Sequence, residues 1–345
     1  LKNSMLVTET LPIAVREGQS KSFEMKNLQQ TSATAEPYRY TLELTSNPIY
    51  QALFALPYVN EYPYESSESI FSKFYLNSFS AHLVNQHPKI KLVFDRWKDQ
   101  QQLQSKLRIN EELKAILIQE TPWLQEAINE EETMKNIALL LDQSTIRNTL
   151  TTDMTKLAAL QSTRGGFSWY PGGNESFHMS TYILTGINKL QAKGIIAEFD
   201  LTNTVKPILT KGIAFLDNEI LYHWSRYQQD NKLKPSIDQG IEYLLVRSSY
   251  PAVEKNTPLE AAIAYFLKEM DKDKLSYSIA TQAKVALILN RYNLKESAAL
   301  VIKQLQQKSV ESVEKGMYWN QNQAGWSWYE APIETQALLI QGFDE

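Results

Sequence analysis

The octapeptide Tyr-Pro-Tyr-Glu-Ser-Ser-Glu-Ser at residues 62–69 gathers aromatic rings, hydroxyls and carboxylates into one short stretch. What it can do depends on its neighbours. A serine hydroxyl becomes a useful nucleophile only beside a base, and no histidine stands close to Ser66 in sequence. His178 is the imidazole that folding would have to bring in. Without a base, Ser66 or Ser67 followed by Glu68 or Ser69 makes an ordinary helix start. The hydroxyls then accept from orphan backbone N–H groups, and the carboxylate complements the positive end of the helix dipole.

A second chemistry needs two acids facing each other. Glycoside hydrolysis uses a carboxylate pair about 5 Å or about 6.5–9.5 Å apart across a sugar-binding cleft. Glu175 and Glu334 sit in matching loops, beside Trp169, Tyr170, Trp328 and Tyr329, whose rings suit sugar stacking. The competing reading is that both acids occupy first turns of helices, where negative charge is favoured anyway. Metal chemistry has little to build on. His82, His87, His178 and His223 form no His-x-x-x-His or His-Glu-x-x-His pair, and cysteine is absent. The missing cysteines also exclude disulfides and thiolate nucleophiles. No phosphate-binding Gly-x-x-x-x-Gly-Lys loop and no Gly-x-Ser-x-Gly elbow occurs. The Gln-Ser-Thr-Arg-Gly-Gly-Phe stretch at 161–167 lacks the acidic cluster that terpenoid cyclisation requires, and Asp271–Lys274 reads as a charged turn between helices.

These residues need elements to hold them. In the first fifty residues the pattern is that of strands. Tyr38, Tyr40, Leu42 and Leu44 alternate with polar neighbours, Phe23 and Met25 begin the same alternation, and 11–15 is a short candidate strand. Asn47-Pro48 punctuates the change. From about residue 50 onward the pattern predicts helices and no strands. They fall at 67–84, 107–118, 133–141, 146–161, 178–190, 204–226, 236–248, 257–270, 277–290, 294–308 and 333–345. Thr257, Pro258 and Glu260 are expected to form an N-terminal capping box.

An internal echo organises this helical region. Gly-Phe-Ser-Trp-Tyr at 166–170 is matched by Gly-Trp-Ser-Trp-Tyr at 325–329, and each is followed by a polar loop and a helix carrying an early threonine, Thr181 or Thr335. Self-similarity of this kind indicates stacked helical hairpins. The expected fold is therefore mainly α, an α/α toroid of repeated helical hairpins preceded by a short β-rich segment. Aromatics of the echoed loops would either plug helix ends or face outward as a docking surface.

With 345 residues, 43% hydrophobic content and a net charge of −4, the chain has ample material for a core and lacks the basic balance that nucleic acid demands. No apolar run approaches the roughly 20 residues needed to span a bilayer. The opening Leu-Lys-Asn-Ser-Met-Leu and the closing helical pattern read as a piece cut from a longer chain.

Residues 47–75, NPIYQALFALPYVNEYPYESSESIFSKFY, resemble the entry to the thioester domain of bacterial α2-macroglobulin-like proteins. In that family a strand ending in Asn-Pro leads to an apolar helix and then to Tyr-Pro-Tyr-x-Cys-x-Glu-Gln. The GGFSWYPGG loop and the closing WSWYEAPIETQALLIQGFDE carry the resemblance on, so that it covers about residues 5–345. It implies that 1–48 belong to a flanking β-sandwich domain and that 49–345 form the toroid, cut short at its C-terminus. Tyr62, Pro63, Tyr64 and Glu68 match the motif, but Ser66 stands at the cysteine position and Ser69 at the glutamine position. A thioester joins a thiolate to a carboxamide carbon three residues on. Ser66 and Ser69 supply neither.

The resemblance further implies a broad-spectrum endopeptidase inhibitor of the periplasm or cell envelope, lipid-anchored in full length, that entraps proteases after bait cleavage. This segment would act without a cofactor, a metal or catalysis. It would dock neighbouring domains of the same chain through Tyr62, Tyr64, Trp169, Tyr170, Trp328 and Tyr329, with no membrane insertion of its own. The alternative is an α/α-toroid carbohydrate-active enzyme, a glycoside hydrolase or lyase.

Overall fold

The computed structural model describes residues 9, 11–15, 17–26, 42, 53, 55–92, 137, 140–325 and 331–345. The protein is mainly helical. The chain divides into two compact units, one of Thr45–Lys268 and one of Leu1–Leu44 with Glu269–Glu345.

The larger unit begins with α1 (Leu56–Glu61), which has a proline in its first turn, where no backbone donor is missed. Next is α2 (Ser67–Gln86). Its Ile70, Phe71, Phe74, Ala81 and Val84 recur at helical spacing and are all buried. A reciprocal amide pair locks α1 to α2, Asn60 and Asn77 exchanging two 2.9 Å bonds. Helix α3 (Gln143–Leu160) packs along α2 with Ile146, Leu150, Met154 and Leu157 buried. It leads into an antiparallel pair, β1 (Phe167–Ser168) and β2 (Glu175–Ser176), with Phe167 opposite Ser176. Ser176 then caps α4 (Phe177–Ala192), accepting from the Met179 N–H. A short α5 (Ile195–Glu198) follows. After it come α6 (Thr202–Gln229), α7 (Ile237–Ser248) and α8 (Thr257–Lys272), within which the division between units falls. Helix α4 is the hub, packing on α2, α5, α6 and α7. Its Gly186 lets the Phe71 ring approach: a Cβ there would lie 2.4 Å from the ring edge.

In the smaller unit α9 (Ile279–Arg291) packs against both α10 (Lys295–Gln307) and α11 (Pro332–Asp344). Between the latter two stands a hairpin of β3 (Val310–Ser312) and β4 (Gly316–Tyr318). Trp319, just beyond it, is buried and donates its indole N–H to the Leu305 carbonyl at 2.8 Å.

Three expectations need correction. The helical region contains two short hairpins where none was expected. Their two- and three-residue strands are too brief to show a period of two. The cap of α8 is Asn256 and not Thr257: its Oδ1 accepts from the Leu259 N–H at 3.0 Å, so Thr257 is already helical and no capping box with Glu260 forms. Neither residues 11–15 nor the alternation begun at Phe23 and Met25 forms a strand, and Pro12 has no N–H to offer a ladder. Of the alternating residues at 38–44 only Leu42 is described, and it is exposed. The others, with the expected helices at 107–118 and most of 133–141, lie outside the described residues.

Candidate functional site

The start of α2 and the tip of the β1–β2 hairpin meet. Ser66 has an extended backbone and is the N-cap of α2. Its Oγ accepts from the Ser69 N–H at 3.0 Å, while its own N–H donates to Ser69 Oγ at 2.8 Å. This is a complete capping box, and the two hydroxyls also touch at 3.3 Å, Ser66 donating. Ser69 Oγ in turn donates to the Tyr64 carbonyl at 2.9 Å, closing the approach turn onto the helix. The Ser67 N–H, another early donor, goes to the Trp169 carbonyl at 3.0 Å. These bonds all serve the helix start, the local ones being joined by one from the hairpin. Ser66 Oγ donates to a hydroxyl and not to an imidazole, and Glu68 is an exposed acid in the first turn.

The hairpin that supplies Trp169 is built to present its tip. Gly165 at its base has φ 99°, and a Cβ there would lie 2.1 Å from the Lys211 carbonyl oxygen, so no side chain fits. Gln161 reaches both the Gly165 and Ile208 carbonyls at 2.9 Å, and Phe167 is buried with its N–H on Ser180 Oγ. At the tip Trp169 and Tyr170 are 38% and 62% exposed. The Trp169 ring stacks on His178, centroids 6.1 Å apart. It is the Trp169 carbonyl that plugs the end of α2, while its ring stays half in solvent. Tyr62 and Tyr64 are 45% and 71% exposed and meet edge to face at 5.8 Å. Trp328 and Tyr329 lie outside the described residues.

The acids of the hairpin are committed. Glu175 accepts from Ser162 through one carboxylate oxygen and from Arg164 at 2.8 Å through the other, and Arg164 bridges on to Glu219 at 2.6 Å. Glu334 is exposed in the first turn of α11. The histidines have separate roles. His82 Nδ1 lies 2.5 Å from Glu198, His87 is the C-cap of α2, and His223 meets Tyr222 edge to face. Among the described residues no group of three or more acidic or histidine side chains is arranged to hold a metal, and no helix is long and apolar enough to cross a membrane.

Beneath the α2 cap lies a further cluster of charged side chains. Glu65 pairs with Lys156 of α3, which holds its carboxyl below the ordinary carboxylate range. Lys73 donates to the Tyr62 carbonyl at 3.0 Å. Asp153 is buried beside them, and burial pushes its carboxyl up to about 6. A signal for it was present: Asp153 falls seven residues after Ile146, within the buried stripe of an amphipathic helix.

Removing the Ser66 hydroxyl by Ser66→Ala is expected to cost about 1 kcal/mol, read as a lowered urea midpoint. A loss several times larger would mean that Ser66 does more than cap. No protein-family model matches the chain, and no curated protein sequence matches it.

Proposed function

We propose that this chain is a non-covalent structural and docking module of an α2-macroglobulin-like protease-trapping protein of the periplasm or cell envelope. In it the thioester segment has become a helix cap. The observation that carries this reading is the Ser66–Ser69 box. The two positions that match the motif's cysteine and glutamine are in contact, at the spacing a thioester would need, yet both side chains serve the helix backbone. A hydroxyl without a base is a poor nucleophile and a serine offers no acyl carbon, so the pair has no covalent use. The finer architecture belongs to the same proposal: a toroid of helical hairpins with a β-sandwich segment.

The docking role is supported by the four exposed aromatics around the cap. Tyrosine and tryptophan are the side chains most often found at interface hot spots. Tyr62 and Tyr64 lead into α2 on one side, and Trp169 and Tyr170 sit on a rigid hairpin at the other. A carbohydrate-active alternative gains no support from Glu175, whose oxygens are held by Ser162 and Arg164.

Two experiments test this. Treatment with methylamine should leave the mass of the intact protein unchanged, and one amine adduct would overturn the lost-thioester reading. The longest available form of the protein, incubated with several proteases, should shield a bound protease from a large substrate and leave a small one accessible. Equal protection against both, or none against either, removes the trapping role.

A further inference from the structure

Asp153 occupies a place that the α3 pattern reserves for an apolar side chain, between buried Leu150 and Met154 and four residues before buried Leu157. It is only 9% exposed, and its Oδ2 has no hydrogen-bond partner among the described residues. On α2, which packs against α3, Ser67 is fully buried and its Oγ is likewise without a partner. Three charged groups act on Asp153: Lys156 from its own helix, Lys73 from α2 and Glu65 from the segment before α2. Helix α6 also packs on α3, and among the described residues none of its charges acts on Asp153.

Both cations are already engaged. Lys73 holds the Tyr62 carbonyl and Lys156 holds Glu65. These two bonds tie residues 62–65 to α2 and α3. A buried carboxylate gains more from a cation than an exposed carbonyl or acid does, because water cannot compensate it. Ionised Asp153 therefore competes for the same two lysines.

We propose that the protonation state of Asp153 governs how firmly residues 62–65 are held: neutral, it leaves both lysines on that segment; ionised, it draws them inward and loosens the Tyr62–Glu65 stretch. Since burial raises the carboxyl to about 6, both states are populated near neutral pH. The inference rests on this cluster alone and stands whether or not the aromatic surface docks a protease-trapping partner.

Amide hydrogen exchange on the full chain tests it. After correction for intrinsic rates, exchange across residues 62–66 should rise roughly five- to tenfold between about pH 5 and about pH 7.5. In Asp153→Asn the same peptide should remain protected at both values, and in Lys73→Gln it should exchange fast at both. Exchange in the wild-type protein that is flat across this range overturns the proposal. So does a rise that persists in Asp153→Asn. Should Asp153→Asn not fold, the wild-type profile and Lys73→Gln still decide: a Lys73→Gln profile that keeps the wild-type pH dependence overturns it.

Discussion

Arg247→Ala should destabilise the protein by about 3–5 kcal/mol, seen as a large drop in the urea midpoint. The side chain is 1% exposed, and each of its nitrogens is used. Nε donates to Asp217 Oδ1 at 3.1 Å, one terminal nitrogen to the Tyr250 carbonyl at 2.6 Å, and the other to the carbonyls of Val253 and Glu254 at 2.8 and 3.3 Å. The guanidinium thus pins the α7–α8 connection to the helices while neutralising Asp217. Tyr243 also donates to Asp217, at 2.6 Å. Burial nevertheless raises the Asp217 carboxyl, and Tyr243 and Arg247 only pull it partway back. Truncating Arg247 removes its share of that pull and leaves a partly buried acid and three carbonyls short of donors. Arg247→Met with Asp217→Asn should recover part of the loss, because the stranded charge is then gone. A single-variant cost under about 1 kcal/mol would show that the network contributes little.

Asp153→Asn should act in the opposite direction. The carboxyl is raised from 3.8 to about 6 in the folded protein, so between these values the folded state binds more protons than the unfolded chain. Stability from this group is therefore full below about pH 4, falls as pH rises towards 6, and is level above. The shift of about two units corresponds to at most roughly 2–3 kcal/mol, reduced by the screening that a partly accessible carboxylate retains. At about pH 7.5 the variant should be more stable than the wild type by roughly that amount, and at about pH 3.5 the two should coincide. Thermal midpoints across this range provide the check. An equal gain at every pH would locate the effect elsewhere.

Of these two residues, Asp153 is marked by its place in the buried stripe of α3, whereas local pattern does not mark Arg247. The helices were legible because their apolar residues repeat: α2, α4, α6, α9 and α11 lie within a few residues of the ranges that periodicity indicates. A helix cap within residues 66–69 was legible from residue type, and the structure makes it the Ser66–Ser69 box. The hairpin at 167–176 was not legible as strands, since two-residue strands exist only through their pairing. Nor was the role of the Trp169 carbonyl, which completes the cap of a helix about a hundred residues earlier in the chain. Arg247 reads as one more basic residue in a helix, and its importance comes from partners at 217, 250, 253 and 254.

Composition and periodicity alone settled that this chain is mainly helical, has no cysteine chemistry, and carries at residues 66–69 side chains suited to capping. Those properties follow from side-chain type and the fixed 3.6-residue turn, which need no distant partner. Which charges are buried, which lysines Asp153 must share, and which aromatics stay in solvent were decided by tertiary contact. Desolvation depends on what packs over a group, and nothing in a residue's immediate neighbours specifies that.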